Sequence, residues 1–257
     1  MTLIFTLTGA LLKLTYLNAI LILTIVPTLM SCTTGFSPRD EMCPVYEDFE
    51  TEETILAIGD SVFAWRMRSC ETVPDVAAQA LGRKLRHKAV NGARITGGDH
   101  PITDLFEPGN WDWVLLDGGG NDLNNECECG KDCDAVLDTL ISEDGSTGEI
   151  PALVETILAS GSRVGLYGYF QIDESASYGF DECREELDVL HARQKRLAER
   201  HERVVFLDAR QVVSPTSTPD AYAFDHVHPS AQGAEIVGQF IASELRKFEA
   251  LQESPTP

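Results

Sequence analysis

Basic residues are scarce in this sequence. Its 257 residues include 20 Lys and Arg against 41 Asp and Glu, so the formal net charge is −21. Nucleic-acid-binding proteins neutralise phosphates with Lys and Arg, so this balance argues against a nucleic-acid partner. It predicts a soluble, self-repelling surface. Apolar residues make up 43% of the chain and aromatic residues 8%, which is enough for a large core and excludes a disordered chain.

Two common site motifs are also missing. No Gly-x-Ser-x-Gly turn occurs, so the nucleophile elbow of ordinary α/β-hydrolases is not supported. The glycine run at 118–120 lacks the Gly-x-Gly-x-x-Gly pattern, and its sequence does not predict a helix after it. We therefore do not expect a dinucleotide site there.

Residues 1–30 carry a single charge, Lys13, and the run over 14–30 is almost wholly apolar. They are long enough for a membrane anchor, but Pro27 and the small residues after it favour a secretory signal peptide over 1–31. Leu29-Met30-Ser31-Cys32 resembles the lipobox of bacterial lipoproteins, whose signal is cut before the cysteine that then carries lipid. We expect an exported protein of the bacterial envelope or periplasm, lipidated at Cys32 and so anchored to a membrane. Plain secretion and an uncleaved anchor are the alternatives.

The cysteines agree with export. Without Cys32, six remain, which in an oxidising compartment allows up to three disulfides in 15 connectivities. Cys127, Cys129 and Cys133 could instead bind a soft metal, but no His lies close in the sequence. If the leader is not a signal peptide, we expect free thiols in a reducing compartment instead.

Strands and helices alternate along the rest of the chain. Residues 32–53 form a polar, acidic stretch broken by prolines, which predicts a tether. We expect residues 54–250 to form one domain and residues 251–257 to be a flexible tail. The insertion over 124–148 is expected to cap the sheet edge near the site. The apolar patterns predict strands at 54–58, 88–90, 111–117, 163–169 and 204–208, and helices at 74–85, 150–161, 181–201 and after Pro229. This alternation predicts an α/β fold, a three-layer α/β/α sandwich with a five-stranded parallel sheet.

The first strand leads into the candidate nucleophile. Four apolar residues, Ile55–Ile58, run directly into Gly59-Asp60-Ser61. Ligands bind at the carboxyl ends of strands in open α/β sheets, so Ser61 is placed where chemistry is expected. Trp65 and Phe63 follow it and are candidates to line an acyl pocket, and we expect core packing for at least one of them.

A second motif near the C-terminus can activate a serine. In Asp225-His226-Val227-His228-Pro229, the carboxylate of Asp225 can hold Nδ1 of His228, so that Nε2 can take a proton from a serine. Pro229 restricts the backbone of His228. His226 is the competing base, but it adjoins Asp225 and their side chains are expected to point apart. His191 and His201 lie in a charged helix and are expected to be solvated.

Two glycine-containing turns can supply hydrogen-bond donors. Asn121, in Gly119-Gly120-Asn121-Asp122, has a side-chain amide that can stabilise a developing oxyanion. Gly92 and the backbone N–H of Ser61 are further candidate donors. Taken singly, each turn is equally well explained by ordinary turn chemistry.

Together these segments resemble the SGNH/GDSL hydrolase family. Gly59-Asp60-Ser61-Val62 is similar to the first block of that family, Ala89-Val90-Asn91-Gly92 to the second, Gly119-Gly120-Asn121-Asp122 to the third and Asp225–Pro229 to the last. The resemblance implies a flavodoxin-like sandwich, no metal or organic cofactor, a triad of Ser61, His228 and Asp225, and an oxyanion hole of Ser61, Gly92 and Asn121. One departure is His87, where many relatives have Asn, and Gly97 and Gly98 are alternatives to Gly92.

The expected function is that of a serine esterase. Its substrate would be an acyl or acetyl ester of a lipid, a sugar or a small molecule, or a thioester, and the sequence selects none of these. A non-catalytic carbohydrate-binding module on the same fold and an O-acyltransferase that uses the same triad are the alternatives.

Overall fold

The computed structural model describes residues 54–253. The predicted signal peptide over 1–31, the lipidation site Cys32, the tether over 32–53 and residues 254–257 of the predicted tail lie outside this range. Among the described residues, no helix combines the length and apolarity needed to cross a bilayer.

Five parallel strands form a single sheet. They are β1 (Thr54–Ile58), β2 (Lys84–His87), β3 (Trp113–Leu116), β4 (Arg163–Gly168) and β5 (Val204–Asp208), in the spatial order β2-β1-β3-β4-β5. Strands buried on both faces are near-continuous apolar runs, and the inner strands fit this rule. Ile55–Ile58 of β1 are 0% exposed and Trp113–Leu116 of β3 at most 1%.

Seven α-helices are present among the described residues: α1 (Ser61–Ala64), α2 (Val73–Leu81), α3 (Gly120–Glu126), α4 (Asp134–Leu140), α5 (Glu149–Ala159), α6 (Arg184–Glu199) and α7 (Ala231–Glu253). α2 and α7 pack closely against each other, since a Cβ on Gly238 of α7 would collide with Val76 of α2. Right-handed crossovers put these two on one face of the sheet and α5 and α6 on the other. The predicted three-layer α/β/α sandwich is therefore confirmed.

The strand order reverses direction between β1 and β3, which makes the gap between their carboxyl ends the topological switch point. Ile58 pairs with Leu116, and the N–H of Asp117 donates to the Ile58 carbonyl at 3.2 Å. The segment 59–61 and the segment 117–121 therefore leave the sheet side by side.

Several predicted bounds are wrong. The second strand is 84–87 and not 88–90, because it is an edge strand whose single well-buried apolar residue is Leu85. The helix before it accordingly ends at Leu81 and not at residue 85, with Gly82 in the left-handed region after it. A helix does open at Gly120, where none was expected, and α7 runs three residues into the predicted tail.

The predicted exposure of His191 is also wrong. It was expected to be solvated but is 2% exposed, and burial together with the charge of Arg210 lowers its pKa to about 3. Its ring packs near Tyr169 and Phe206 on the inner side of α6. Leu187, four residues earlier on the same helix, is also buried. The buried face of α6 therefore includes a histidine beside its apolar side chains.

The cysteines of the described residues are all in disulfides. Cys127 pairs with Cys133 and Cys129 with Cys183, and Cys70 is disulfide-bonded as well. The sulfurs that a soft metal would need are thus already bonded. Disulfides form and persist in oxidising, extracellular environments, which agrees with export.

The insertion over 124–148 does not cover the site itself. The Cys129–Cys183 bond ties it to the residue before α6, and Asn124 donates to the carbonyl of Tyr178 at 2.9 Å. None of its residues lines the pocket beside Ser61. The insertion therefore supports the segment 178–187, which does contribute to that pocket.

Candidate active site

Ser61 is the first residue of α1, directly after the turn that follows β1. Gly59 has φ +155°, and a Cβ there would overlap the carboxylate of Asp117, so this position requires glycine. The backbone N–H of Asp60 donates to Oδ1 of Asp117 at 2.6 Å. Asp117, the residue after β3, thus holds the turn that presents Ser61.

Asp60 caps α1 and is the centre of a buried hydrogen-bond network. Its Oδ1 accepts from the N–H of Val62 at 2.8 Å, and its Oδ2 accepts from the Tyr169 hydroxyl at 2.6 Å and from Nδ2 of Asn121 at 3.4 Å. Burial raises the pKa of Asp60. It outweighs the hydrogen bonds from Tyr169 and Val62 and the charge of His228, which lower that pKa. This residue links the predicted nucleophile to the predicted oxyanion donor.

Asp117 is a second buried carboxyl group beneath the turn. It is 1% exposed, and burial together with the charge of Asp60 raises its pKa well above the ordinary value. Two adjacent buried carboxylates repel each other, and this repulsion favours the protonated form of Asp117.

Asn121 lies in the first turn of α3 and is 9% exposed. Its Nδ2 donates to the carbonyl of Ala93 at 3.0 Å, which places the side chain against the loop that contains Gly92. Gly92 is exposed, has φ +74° and is adjacent to Ala93. The alternatives Gly97 and Gly98 lie beside the Arg94 side chain instead.

Asp122 holds the same loop. Its Oδ2 accepts from the N–H of Ile95 at 2.9 Å and its Oδ1 from the N–H of Thr96 at 3.0 Å. Burial raises the pKa of Asp122, and the two backbone hydrogen bonds act against that shift. Asn121 and Asp122 therefore fix the second loop relative to α3.

The structure pairs Asp225 with His228. Oδ2 of Asp225 lies 2.7 Å from Nδ1 of His228, while its Oδ1 accepts from the N–H groups of Val227 at 3.1 Å and His228 at 3.0 Å. Burial raises the pKa of Asp225, but the hydrogen bonds from His228 and Val227 outweigh burial, so its pKa is lowered overall. His226 has φ +57° and faces Asp173 at 3.6 Å, away from this pair.

The other ring nitrogen of His228, Nε2, is buried and has no hydrogen-bond partner within residues 54–253. The ring stacks on the indole of Trp65, with centroids 3.9 Å apart and planes 4° apart. Trp65 is four residues after Ser61, so α1 and the His228 loop are in direct contact. Phe63, by contrast, is 0% exposed and belongs to the core.

One pocket contains Ser61 and Asn121, whereas Gly92, Asp225 and His228 are not among its lining residues. Ser61 and Asn121 form its polar end, and its remaining walls are mostly apolar. The full lining is Asp60, Ser61, Val62, Gly120, Asn121, Tyr169, Phe170, Ile172, Phe180, Leu187 and Val227. Ser61 and Asn121 were predicted from the sequence as site residues, but Asp60 and Tyr169 were not. Tyr169 lies just after β4, at the carboxyl edge of the sheet, and this position could have indicated that it belongs to the site.

The fold is that of an α/β protein with a candidate site at the switch point of a parallel sheet. Residues 57–236 match the model of the GDSL-like Lipase/Acylhydrolase family. The chain therefore belongs to this family of ester-cleaving enzymes. A comparison with curated proteins finds no match.

Solved structures share the fold at low identity. A carbohydrate acetylesterase family member from Sinorhizobium meliloti is 17% identical with a TM-score of 0.56, covering 77% of this chain and 99% of its own. A carbohydrate esterase family 2 enzyme with a carbohydrate binding domain from Corynascus thermopiles (Myceliophthora fergusii) is 17% identical with a TM-score of 0.55, covering 78% and 67%. A GDSL-like lipase from Bacteroides thetaiotaomicron is 17% identical with a TM-score of 0.53, covering 76% and 88%.

Proposed function

We propose that this protein is a serine esterase in which Ser61 is the nucleophile, His228 the general base and Asp225 the residue that orients His228. The observation that supports this most strongly is the buried Asp225–His228 pair at 2.7 Å. Nε2 of His228 has no hydrogen-bond partner among the described residues, and the ring stacks on Trp65, four residues after Ser61. A carboxylate on Nδ1 sets the tautomer in which Nε2 can accept a proton.

The reaction follows from these positions. Nε2 of His228 takes the proton of the Ser61 hydroxyl as Oγ attacks the ester carbonyl, and the carbonyl oxygen becomes an anion. His228 then returns the proton to the leaving alcohol, which gives an acyl-enzyme. Water activated by His228 hydrolyses that ester and restores Ser61.

The oxyanion donors in this proposal are Nδ2 of Asn121 and the backbone N–H groups of Ser61 and Gly92. One Asn121 hydrogen is held by Ala93 at 3.0 Å, whereas the bond to Asp60 is long at 3.4 Å. The second hydrogen is therefore weakly held and remains available to an oxyanion.

The substrate class follows the family only in outline: an acyl or acetyl ester of a lipid, a sugar or a small molecule. Two structural neighbours are a carbohydrate acetylesterase family member and a carbohydrate esterase family 2 enzyme, which supports an acylated sugar as one candidate. We also propose that Cys32 carries a lipid anchor in the bacterial envelope. Cys32→Ala should release the protein from membranes, and a variant that still fractionates with membranes would contradict this anchor.

The test of the mechanism is labelling of the leaderless protein with a fluorophosphonate probe and mass mapping of the adduct. We expect labelling at Ser61, none in Ser61→Ala, and unchanged labelling in the control Ser69→Ala, whose hydroxyl donates to a carbonyl on the surface. No labelling of folded protein would favour the binding module instead. Product analysis with an acceptor sugar separates hydrolysis from acyl transfer.

A further inference from the structure

The pocket beside Ser61 is small. Its volume, measured for the centre of a water-sized sphere, is about 20 Å³. One water needs about 10–15 Å³ on that scale, so the space next to Ser61 and Asn121 holds a group of one or two heavy atoms. Beyond its polar end, the pocket is lined by apolar side chains, which suit a methyl group and no further polar atom.

Three apolar side chains of the pocket lining are buried. Phe170 is 2% exposed, Ile172 7% and Leu187 4%. Phe170 and Ile172 follow β4, where the hydroxyl of Tyr169 is bonded to Asp60, and Leu187 lies in the second turn of α6. These three residues are called the end wall here.

The end wall is held firmly. The Cys129–Cys183 disulfide fixes the chain just before α6, and the hydroxyl of Tyr222 donates to the carbonyl of Gln171 at 2.6 Å, inside the segment that carries Phe170 and Ile172. A longer acyl chain therefore cannot enter by simple displacement of a mobile loop.

A wider surface groove shares the three residues of the end wall. Phe170, Ile172 and Leu187 line this groove too, together with Arg184, Asp188, His191 and Arg210. Its volume on the same scale is about 330 Å³. The end wall therefore lies between a small, mostly apolar pocket at Ser61 and a wider groove whose other lining residues are largely polar and partly exposed.

We propose that the end wall sets the acyl-chain length and that the substrate is an ester of a short acyl group, acetyl above all. This deepens the proposed function and rests on Ser61 as nucleophile. The acyl carbonyl would lie between Ser61 and Asn121, the acetyl methyl would fill the apolar space, and the alcohol would leave toward solvent. A longer chain would have to displace packed side chains, which is costly.

The experiment compares p-nitrophenyl acetate, butyrate and octanoate as substrates of the leaderless protein and two variants. For the parent protein we expect kcat/KM for acetate to exceed that for octanoate by about 10- to 100-fold, the penalty for forcing methylenes into a packed site. Leu187→Ala opens the pocket toward the groove and should reduce this ratio at least tenfold. Leu197→Ala is the matched control, since Leu197 is 1% exposed on the same helix and lines neither the pocket nor the groove.

The outcomes separate this proposal from the esterase mechanism. Labelling of Ser61 by fluorophosphonate with a flat or rising chain-length profile overturns the end wall and leaves the mechanism standing. A profile that Leu187→Ala and Leu197→Ala shift equally overturns it as well, because general loosening would then be the cause. Failure of both labelling and hydrolysis in folded protein overturns the mechanism and the chain-length proposal together. Should Leu187→Ala not fold, Ile172→Ala opens the same end wall and must relax the ratio.

Discussion

Trp65 offers a sensitive test of how His228 works. Its indole covers the imidazole at 3.9 Å with nearly parallel planes, and His228 is 7% exposed. In the proposed mechanism His228 is a cation only while Ser61 is under attack and while the acyl-enzyme is being hydrolysed. An aromatic face stabilises a cation by about 0.5–1 kcal/mol at exposed sites and about 2 kcal/mol when it is desolvated. The burial of His228 puts the expected gain at about 1–2 kcal/mol.

Trp65→Leu removes the aromatic face while it keeps an apolar side chain. A loss of about 1–2 kcal/mol corresponds to a fall in kcat of about 5- to 30-fold. KM should change little, because the interaction is stronger in the transition state than in the substrate complex. Trp65→Phe keeps a ring and should recover most of the rate.

The assay is steady-state hydrolysis of p-nitrophenyl acetate, with thermal unfolding as the check that each variant is folded. Trp111→Leu is the control tryptophan, since its indole donates to the carbonyl of Glu107 and takes no part in the site. If Trp65→Leu raises KM and leaves kcat unchanged, the indole contacts substrate and does not act through His228. If Trp65→Phe is as slow as Trp65→Leu, the aromatic face is not the cause.

Three further predictions concern the site and its support. Asp225→Asn should lower the kcat for ester hydrolysis by about 10³- to 10⁴-fold while the protein still folds, because the amide favours the wrong tautomer of His228; a loss below tenfold would contradict the triad. Asp117→Asn should stabilise the protein at neutral pH, measured by urea unfolding. Burial and the charge of Asp60 raise the pKa of Asp117 in the folded state, so the unfolded state, whose carboxyl has the ordinary pKa of 3.8, binds fewer protons and gains stability relative to the folded state as the pH rises above that value. The advantage should therefore grow from pH 4 to pH 7, and an advantage that shrinks over this range would refute it. Replacing both Cys129 and Cys183 by Ser should cost about 4 kcal/mol of unfolding free energy, because their bond closes a long loop. Replacing Cys127 and Cys133, whose bond closes a short loop, should cost about 2 kcal/mol, and equal losses would contradict this ranking.

Much of the fold can be predicted because its signals are local. The buried strands β1, β3 and β4 are continuous apolar runs, and β5 was predicted at its observed bounds. The alternation of strands with helices then leaves few topologies. The edge strand β2 escaped prediction because one of its faces is solvated and its sequence, Lys-Leu-Arg-His, has no apolar run.

The candidate site divides in the same way. The Asp225–His228 pair is three residues apart in one turn, so the sequence alone could indicate it, and Pro229 and the preference for His228 over His226 followed from chain geometry. Ser61 and Asn121 could be named because each follows a buried strand, and parallel strands end at one edge.

Contacts between distant segments were decided by the tertiary structure. Asp60 and Tyr169 are 109 residues apart, and nothing local predicts that their side chains bond. The disulfide partners, the stacking of Trp65 on His228, the burial of His191 and the end wall of the pocket have the same origin. Local patterns determine which residues form a strand, a turn or a helix face, whereas the packing of those elements determines which side chains meet, how large the space between them is and which charges lose their water.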